Sequence, residues 1–405
     1  MNAMRRNFII LLVSNFIVSA SFTMIMPFLS LYIETLGDFS ESYVQRWAGL
    51  IFAATFISAF IMSPIWGRVA DKYGYKPIMI LNCFGIALSI FLMGYVENVI
   101  QFFFLRLAMG VVTGFIPMSV AFVSKHTPKE TAGKTLGTMQ MGSVGGTLFG
   151  PIIGGIIADA VGFQYTFTYT ALAITIAALI ISFGIHEPHI IRKKKSALYA
   201  RRNIIWALFH HRLMLNVMLI TTLIQVGNFS IQPLLSLYVS ELTHTQEVAL
   251  LAGVTFSATG LGNILFSRIW GHLADLYGYE RILTYLLLAC IVFIIPQAFV
   301  TALWQLILLR FLFGIVAGGL IPIATALIRR EAPVAIQGEV MGYNQSFRFF
   351  GNIIGPMLGG VISAFGGIHS VFYSTGALFF VAFLILIFIQ KKPTQYMEDL
   401  LEEHA

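Results

Sequence analysis

Cysteine is scarce in this 405-residue chain, and the residue types that build metal or catalytic centres are scattered along it. The two cysteines, Cys83 and Cys290, lie in distant apolar runs, which favours buried thiols over a disulfide or a metal pair. The nine histidines fall in loops or at the ends of apolar runs, without the spacing of a zinc site. The sequence shows neither a nucleophile with a partner base nor a set of metal ligands, and it has no nucleotide-binding loop. We therefore expect neither an enzyme nor a nucleotide-driven pump, and no cofactor.

Charged residues are scarce as well, at 11% of the chain against 58% hydrophobic residues. That is more apolar surface than one soluble core could bury, so lipid must be the solvent. A hydrocarbon core of ~30 Å needs about 20 apolar residues per helix. The run after Arg5 and Arg6 lacks a small-residue cleavage site, so we expect it to be retained as a span. Twelve spans are predicted, near residues 8–33, 46–66, 77–96, 99–123, 136–158, 164–185, 213–239, 248–270, 281–300, 302–327, 338–361 and 369–390.

The basic residues are concentrated in alternate loops. Of the 25 Lys and Arg residues, 21 lie on the side of the predicted spans that holds both termini, and only Arg46 lies on the other. This is the positive-inside pattern, and it predicts a multi-pass protein of the cell membrane with both termini in the cytosol. Because topology accounts for the basic excess, we expect no nucleic-acid partner. The expected partners are the bilayer, protons and small lipophilic substrates, with the chain acting as a monomer.

The second half of the chain repeats the first. Residues 67–75 read Gly-x-x-Ala-Asp-x-Tyr-Gly-Tyr, and residues 271–279 have the same frame. The stretch is expected to form a charged turn between two spans in each half. Further matches recur at offsets of 204 to 206 residues: Pro27 with Pro233, Ser30 with Ser236, Tyr32 with Tyr238, Arg106 with Arg310, Gly137 with Gly342, Gln140 with Gln345, and Pro151 with Pro356.

Two halves that enter and leave on the same side are parallel repeats, related by an axis along the membrane normal, and they enclose a site at the midplane. The predicted fold is therefore an all-α integral membrane protein with 12 transmembrane helices in two pseudo-symmetric six-helix halves. The predicted domains are an N-terminal half (1–186), a cytosolic linker (187–212), a C-terminal half (213–392) and a cytosolic tail (393–405).

Glycine patterns mark the packing faces of two spans. Glycines at four-residue spacing let a neighbouring helix approach closely, and a proline bends the helix. Span 4 contains Leu105-Arg106-x-x-x-Gly110-x-x-x-Gly114. Span 5 ends with Gly146, Gly150, Pro151, Gly154 and Gly155, and span 11 repeats Gly355 and Pro356.

Together with the 67–75 stretch, these segments resemble the signature motifs of the major facilitator superfamily. The span 5 pattern resembles that of its drug/proton antiporters, and residues 26–29 and 343–348 are similar to those of bacterial multidrug-resistance exporters of the twelve-span branch. The resemblance covers essentially the whole chain and implies the major facilitator fold.

The resemblance also implies a latch at the cytosolic side. In that family the aspartate matched by Asp71 helps to hold the halves together when the protein opens outward. A carboxylate at the end of span 2 can face the positive N-terminus of span 11, which begins near Glu339. The second copy has Leu276 and Glu280 in place of basic residues, so it departs further from the motif. The predicted latch residues are Gly67, Asp71, Lys72, Gly74, Lys76, Asp275 and Glu339.

Three arginines, Arg106, Arg310 and Arg348, lie well inside spans, where each costs roughly 2.5 to 3.5 kcal/mol unless it faces a polar interior. They either line a cavity or clamp backbone carbonyls. The resemblance implies a role in proton transfer for Arg106. The predicted substrate cavity contains Arg348, Arg310, Asn344, Gln345, Asn352, Gln140, Gln225, Asn228, Gln232, Phe22, Met26, Tyr32, Met139 and Phe229.

Carboxylates are absent from the middle of every predicted span, because all 18 lie in loops or at span ends. Many cation exporters of the family embed such a group, so we expect lipophilic substrates that are anionic, zwitterionic or neutral. A proton gradient, a membrane potential or both would drive export, with Glu34 or Asp159 as the proton carrier besides Arg106. The predicted function is secondary active export of multiple drugs or small molecules by alternating access, with proton-coupled antiport as the expected mode. Two alternatives stay open: a lipid or lysolipid flippase, and a proton-coupled nutrient symporter.

Overall fold

A computed structural model describes residues 3–127, 129–187, 201–243, 245, 247–333 and 336–390. Within these residues the chain is helical without strands, and twelve segments are long and apolar enough to cross a membrane. This confirms the predicted all-α membrane fold. The helices are α1 (Ala3–Met24), α2 (Leu29–Thr35), α3 (Glu41–Tyr73), α4 (Tyr75–Met93), α5 (Val99–Val111), α6 (Phe115–His126), α7 (Lys129–Val161), α8 (Phe163–Gly184), α9 (Arg201–His210), α10 (Arg212–Ser230), α11 (Leu235–Leu242), α12 (Val248–Tyr277), α13 (Tyr279–Ile294), α14 (Leu303–Glu331), α15 (Gln337–Gly366) and α16 (Ile368–Gln390).

Some spans consist of two helical pieces. Spans 1 and 7 are interrupted by short 3₁₀ turns, Met26–Phe28 and Gln232–Leu234, each with a proline in its first turn. A proline lacks the backbone N–H that would continue the helix, which explains the break at the same place in both halves. Span 4 is divided into α5 and α6, whereas its counterpart, α14, is continuous. The two halves therefore share their design but are not identical.

The expected turn at residues 67–75 is mostly helix. Residues 67–73 form the last two turns of α3, and the chain reverses only at Gly74, whose φ is 99°. The copy behaves in the same way, with α12 continuing to the residue before Gly278, whose φ is 96°. Residues with a side chain rarely adopt a positive φ of this size, so the turn requires glycine. The corresponding turns after α7 and α15 use Gly162 and Gly367.

The repeat extends to individual hydrogen bonds. Tyr32 Oη donates to the carbonyl of Met93 at 2.9 Å, and Tyr238 Oη donates to the carbonyl of Gln297 at 2.7 Å. Equivalent tryptophans likewise donate to equivalent carbonyls, both at 2.6 Å: Trp66 to Val111 and Trp270 to Ile315. These bonds pair the same spans in each half, so the duplication seen in the sequence is also a duplication of packing.

The two halves meet on their symmetry axis. Ser30 and Ser236 are equivalent residues, and their hydroxyl oxygens lie 2.6 Å apart. Equivalent atoms that touch each other must lie close to the axis that relates them. We call the membrane face where α1 begins and α16 ends the terminal face, and the opposite one the far face. Ser30 and Ser236 lie toward the far face.

The described residues include only part of the predicted linker and none of the predicted tail. Residues 188–200 and the predicted tail, 393–405, lie outside the described residues. Glu187, the first residue of the predicted linker, accepts hydrogen bonds from the backbone N–H groups of Tyr75 (2.8 Å) and Lys76 (2.9 Å). It therefore caps α4 and packs as part of the N-terminal half. In α9, Ala207 and Leu208 are buried.

Candidate functional site

The halves contact each other along two helix pairs, α3 with α15 and α7 with α12. Ser363 Oγ on α15 donates to Gln45 Oε1 on α3 at 2.7 Å. Ser257 Oγ on α12 donates to the carbonyl of Leu148 on α7 at 2.6 Å. Asp159 on α7 accepts hydrogen bonds from the first turn of α12. Every hydrogen bond that joins the halves between two described residues lies toward the far face, so this face is closed.

We call the two contacts between the halves, α3 with α15 and α7 with α12, the seams. Glycines allow the helix backbones to meet there. A methyl group at Gly360 of α15 would lie 2.6 Å from the carbonyl oxygen of Gln45 and 3.3 Å from the Cα of Gly49. On the other seam, a methyl group at Gly155 of α7 would lie 2.6 Å from the Cα of Leu250, and one at Gly253 of α12 would clash with the backbone of α7. Side chains at these four glycines would force the halves apart.

Each of the four helices has a second glycine, which lies 18 residues from the first in the direction of the terminal face. Eighteen residues are five full helical turns, so both glycines of a pair lie on the same side of their helix. At the second glycines an added methyl group would meet nothing within 4 Å. The halves therefore diverge and leave a cleft that opens at the terminal face. The second glycines are Gly67 on α3, Gly137 on α7, Gly271 on α12 and Gly342 on α15.

Two equivalent glutamines line this cleft. Gln140 lies 11 residues before Pro151 on α7, and Gln345 lies 11 residues before Pro356 on α15. Eleven residues are about three turns, which keeps each glutamine on the side that faces the other half. Both side chains are exposed. The predicted cavity role of these two residues is thus consistent with their positions.

Arg348 lies beside Gln345 and is half-buried. Its Nη1 donates to Gln345 Oε1 at 3.2 Å, while its buried Nε has no hydrogen-bond partner among the described residues. A guanidinium has five N–H donors and no acceptor, so the pair offers the cleft a surplus of donors. In the described parts of α3, α7, α12 and α15, carboxylates occur only near the helix ends. The cleft is suited to a ligand rich in hydrogen-bond acceptors.

Three amide side chains that were expected to line the cavity join α10 to α15 instead. Gln225 Nε2 donates to Asn352 Oδ1 at 2.8 Å, and Thr221 Oγ1 donates to Asn344 Oδ1 at 3.2 Å. Gln225, Asn344 and Asn352 are all buried. Polar pairs of this kind hold helices together in a membrane. In this conformation the three residues therefore pack within the C-terminal half and do not line the cleft.

Arg106 and Arg310 are also buried, at 3% and 4% exposure. The guanidinium of Arg106 lies 5.6 Å from the ring centre of Phe102, which packs on Tyr32 and Phe167 inside the N-terminal half. Nε and Nη2 of both arginines have no hydrogen-bond partner among the described residues. These two arginines therefore face the interior of a half in this conformation, and Arg348 is the one near the cleft surface.

Aromatic rings close the cleft toward the far face. Phe229 on α10 lies across the boundary from Phe52 and Phe56 on α3, with ring centres 6.2 Å and 5.3 Å away. The sequence pattern pointed to Phe229 but not to its two partners. Tyr32 and Met139 are buried inside the N-terminal half. The other predicted cavity residues are half-buried: Phe22, Met26, Asn228 and Gln232.

The glycines of span 5 form two surfaces. Gly146, Gly150 and Gly154 pack against the backbone of α1, whereas Pro151 and Gly155 face α12. In the second half, Gly355 packs on α10 and Pro356 faces Gly49 of α3. The motif thus builds contacts within a half and between the halves.

The predicted latch residues lie where the halves are apart. Asp71 Oδ1 accepts a hydrogen bond from Tyr75 Oη at 2.9 Å, and Asp275 Oδ1 accepts one from Tyr279 Oη at 2.5 Å. At the start of α15, Glu339 is exposed and a methyl group at the neighbouring Gly338 would meet nothing within 4 Å. The latch remains a prediction for a state in which the terminal face is closed. Lys72 lies over the ring of Tyr73, and Glu34 is exposed on α2.

Comparison with known proteins agrees with this architecture. The model of the Major Facilitator Superfamily matches residues 11–251 and 217–403. The MFS-type transporter YuxJ of Bacillus subtilis is 55% identical over 379 residues, which cover 93% of this chain and 97% of YuxJ. The multidrug resistance protein MdtG of Dickeya zeae is 37% identical over 393 residues, 96% of each chain. The crystal structure of the nucleoside transporter NupG matches with a TM-score of 0.77 at 16% identity, covering 97% of this chain and all of NupG. The chain therefore belongs to the major facilitator superfamily, and it is a membrane transporter rather than an enzyme.

Proposed function

We propose that this transporter exports small lipophilic compounds by alternating access, with its terminal face in the cytosol. The orientation is supported by the 21 of 25 basic residues that lie on the terminal side. In this orientation the cleft opens to the cytosol, where an exporter collects its substrate. The inner membrane of a bacterial cell is the proposed location.

The observation that carries the proposal is the pairing of a closed far face with an open terminal face. Each of the four seam helices has one glycine in close contact and another, five turns away, in open space. Rocking one half against the other would exchange these two sets of contacts and expose the cleft to the outside. Export would follow if the guest is released in that second state.

The chemistry of the cleft supports substrates that are anionic, zwitterionic or neutral. Arg348 and the exposed amides of Gln140 and Gln345 offer donors, and no carboxylate lies mid-span in the sequence. An inside-negative potential favours the exit of an anion by about 2.3 kcal/mol per charge per 100 mV. A proton gradient would serve neutral guests. The similarity to MdtG, a multidrug resistance protein, supports a broad range of compounds.

Transport into inside-out vesicles tests this function. Three lipophilic dyes of similar size, one cationic, one neutral and one anionic, are offered while a pH gradient or a potential is imposed separately. We expect uptake of the anionic and neutral dyes, and no uptake of the cationic one. Selective uptake of the cationic dye would contradict the substrate class. Movement of a fluorescent lysolipid in place of all three dyes would indicate a flippase.

Arg348→Ala should weaken uptake of the anionic dye by about tenfold to a hundredfold, since a hydrogen bond to a charged group contributes about 1.5–3 kcal/mol. Uptake of the neutral dye should change little. Arg348→Lys should restore part of the anionic flux because it keeps the charge. Arg281→Ala removes an exposed arginine outside the cleft and is the matched control. Equal loss for the anionic and neutral dyes would show that Arg348 has only a structural role.

A further inference from the structure

A carboxylate of one half caps a helix of the other. Asp159, near the end of α7, accepts from the backbone N–H of Ala249 through Oδ1 at 3.2 Å and from that of Leu250 through Oδ2 at 2.7 Å. These are the second and third residues of α12. The first N–H groups of a helix have no partner within it and carry its positive dipole end. The contact therefore joins a negative side chain to the positive end of a helix across the boundary.

No residue of α12 supplies this cap. Glu247 occupies the N-cap position but makes no capping hydrogen bond with its side chain. A side-chain cap stabilises a helix start by about 1 kcal/mol. Because the cap comes from the N-terminal half, its stabilisation is available only while the far face is closed. Asp159 thus contributes to the balance between two conformations and not only to folding.

Asp159 is nevertheless exposed at the far face, so protons from that side reach it directly. The titratable groups on the elements packed around it are Glu247 before α12, Glu241 on α11 and Tyr165 on α8. The 3₁₀ turn of span 1, which also packs there, has none, and the far-face ends of α13 and α14 carry no ionisable side chain. Among the described residues of these elements, none near the far face is basic and could replace the proton as a counter-charge.

We infer that Asp159 is a proton-binding site that holds the far face closed while it is ionised and releases it when it is protonated. Protonation removes the negative charge that faces the start of α12, so the attraction between the halves falls. The inference rests on the proposed orientation, in which the far face meets the acidic outside of an energised cell. It links proton entry to outward opening, which the proposed function leaves unspecified.

The terminal face also has a carboxylate and a helix start that could form a contact of the same kind. There α15 begins after Ile336, which makes no side-chain cap. Asp71, at the end of α3, is the carboxylate expected to meet that helix when the terminal face closes. One carboxylate and one uncapped helix would then serve each face, and the two contacts would alternate.

Distance measurements between spin labels test the inference on purified protein in lipid nanodiscs without any transported compound. One label pair spans the far face, at Thr35 and Phe365, and a second spans the terminal face, at Tyr73 and Tyr277. Lowering the pH from 8 to 5 should lengthen the far-face distance and shorten the terminal one. In Asp159→Asn the far face should already be open at pH 8, with the open-to-closed ratio raised about threefold to thirtyfold and insensitive to pH.

Glu247→Gln is the matched control, because it neutralises a carboxylate at the same helix start that makes no capping bond. It should still open on acidification, but at a lower pH, because the charge of Glu247 no longer disfavours the ionised form of Asp159. Asp159→Ser retains a short capping oxygen without charge and serves as the second variant if Asp159→Asn fails to fold; it should also lose the response. An unmodified protein that does not open on acidification, or variants that respond like it, would overturn the inference. Intact pH-driven opening without dye flux would reject the proposed function alone.

Discussion

Single polar side chains in this transporter divide between those that pair inside a half and those that face the cleft. Gln345 is exposed and accepts from Arg348, whereas Asn344, the preceding residue, is buried and bonded to Thr221. Helical periodicity predicts one polar stripe of Asn344, Arg348 and Asn352, but only the two asparagines bond to α10, whereas Arg348 bonds to Gln345 beside the cleft. The sequence predicts which residues share a helix face. It does not predict which neighbour covers that face, because two adjacent helices compete for it.

His211 gives a prediction at this scale outside the membrane. It is buried at the start of α10, where its Nδ1 accepts from the backbone N–H of Met214 at 3.3 Å. Burial lowers the pKa of His211 below its ordinary value of about 6.5, and the nearby Glu331 opposes this shift only in part. The neutral cap therefore stabilises the fold fully above pH ~6.5, and this contribution is lost as the pH falls through the lowered pKa.

Thermal unfolding across a pH series measures this contribution. His211→Ala should destabilise the protein by about 1 kcal/mol at neutral pH, as expected for a lost helix cap. His211→Asn keeps a capping group without titrating, so its stability should depend less on pH below 6.5. His210→Ala changes the exposed neighbour and is the control. An equal pH dependence in His211→Asn and the unmodified protein would contradict the assignment.

At the scale of helices, the spacing of glycines carries information that a packing motif alone does not. Each seam helix presents glycine at two levels of the same face, five turns apart. The twelve spans and the repeat between the halves were predictable, because apolar length and recurring residues are visible along the chain. The sequence does not predict at which of the two glycines the halves are in contact, because the same glycine packs closely in one state and lies in open space in the other.

Gly137 on α7 and Gly342 on α15 allow a test of whether the halves approach each other at the terminal face. A methyl group at either position would meet nothing within 4 Å in the present conformation, so we expect a leucine there to leave folding unaffected. Replacing glycine in a helix should even add about 0.5–1 kcal/mol of stability. The double variant Gly137→Leu with Gly342→Leu should nevertheless lose most of its flux, because the leucines would keep the terminal face from closing.

Flux and thermal stability are measured together for this variant. The double alanine variant at the same positions is the graded control, and it should retain more flux than the leucine variant. Gly155→Leu should instead destabilise this conformation, because the backbone of α12 already occupies the space next to Gly155. Normal flux with leucine at both positions would exclude a close approach of the halves at this level.

At the scale of the whole molecule, alternating access requires the far face to open when the terminal face closes. Equivalent residues of the two halves meet at Ser30 and Ser236, close to the symmetry axis, and both side chains are buried. The hydroxyl oxygens lie 2.6 Å apart, so cysteines in their place would lie within reach of each other. A covalent bond at this point would hold spans 1 and 7 together.

The most direct measurement is therefore flux through the Ser30→Cys, Ser236→Cys double variant, in a background with Cys83 and Cys290 replaced by alanine. Oxidation should stop transport in inside-out vesicles while leaving dye binding from the terminal side intact, and a reducing agent should restore transport. Each single cysteine variant should be insensitive to oxidation. Full flux through the verified cross-linked protein would contradict alternating access by separation of spans 1 and 7 at the far face.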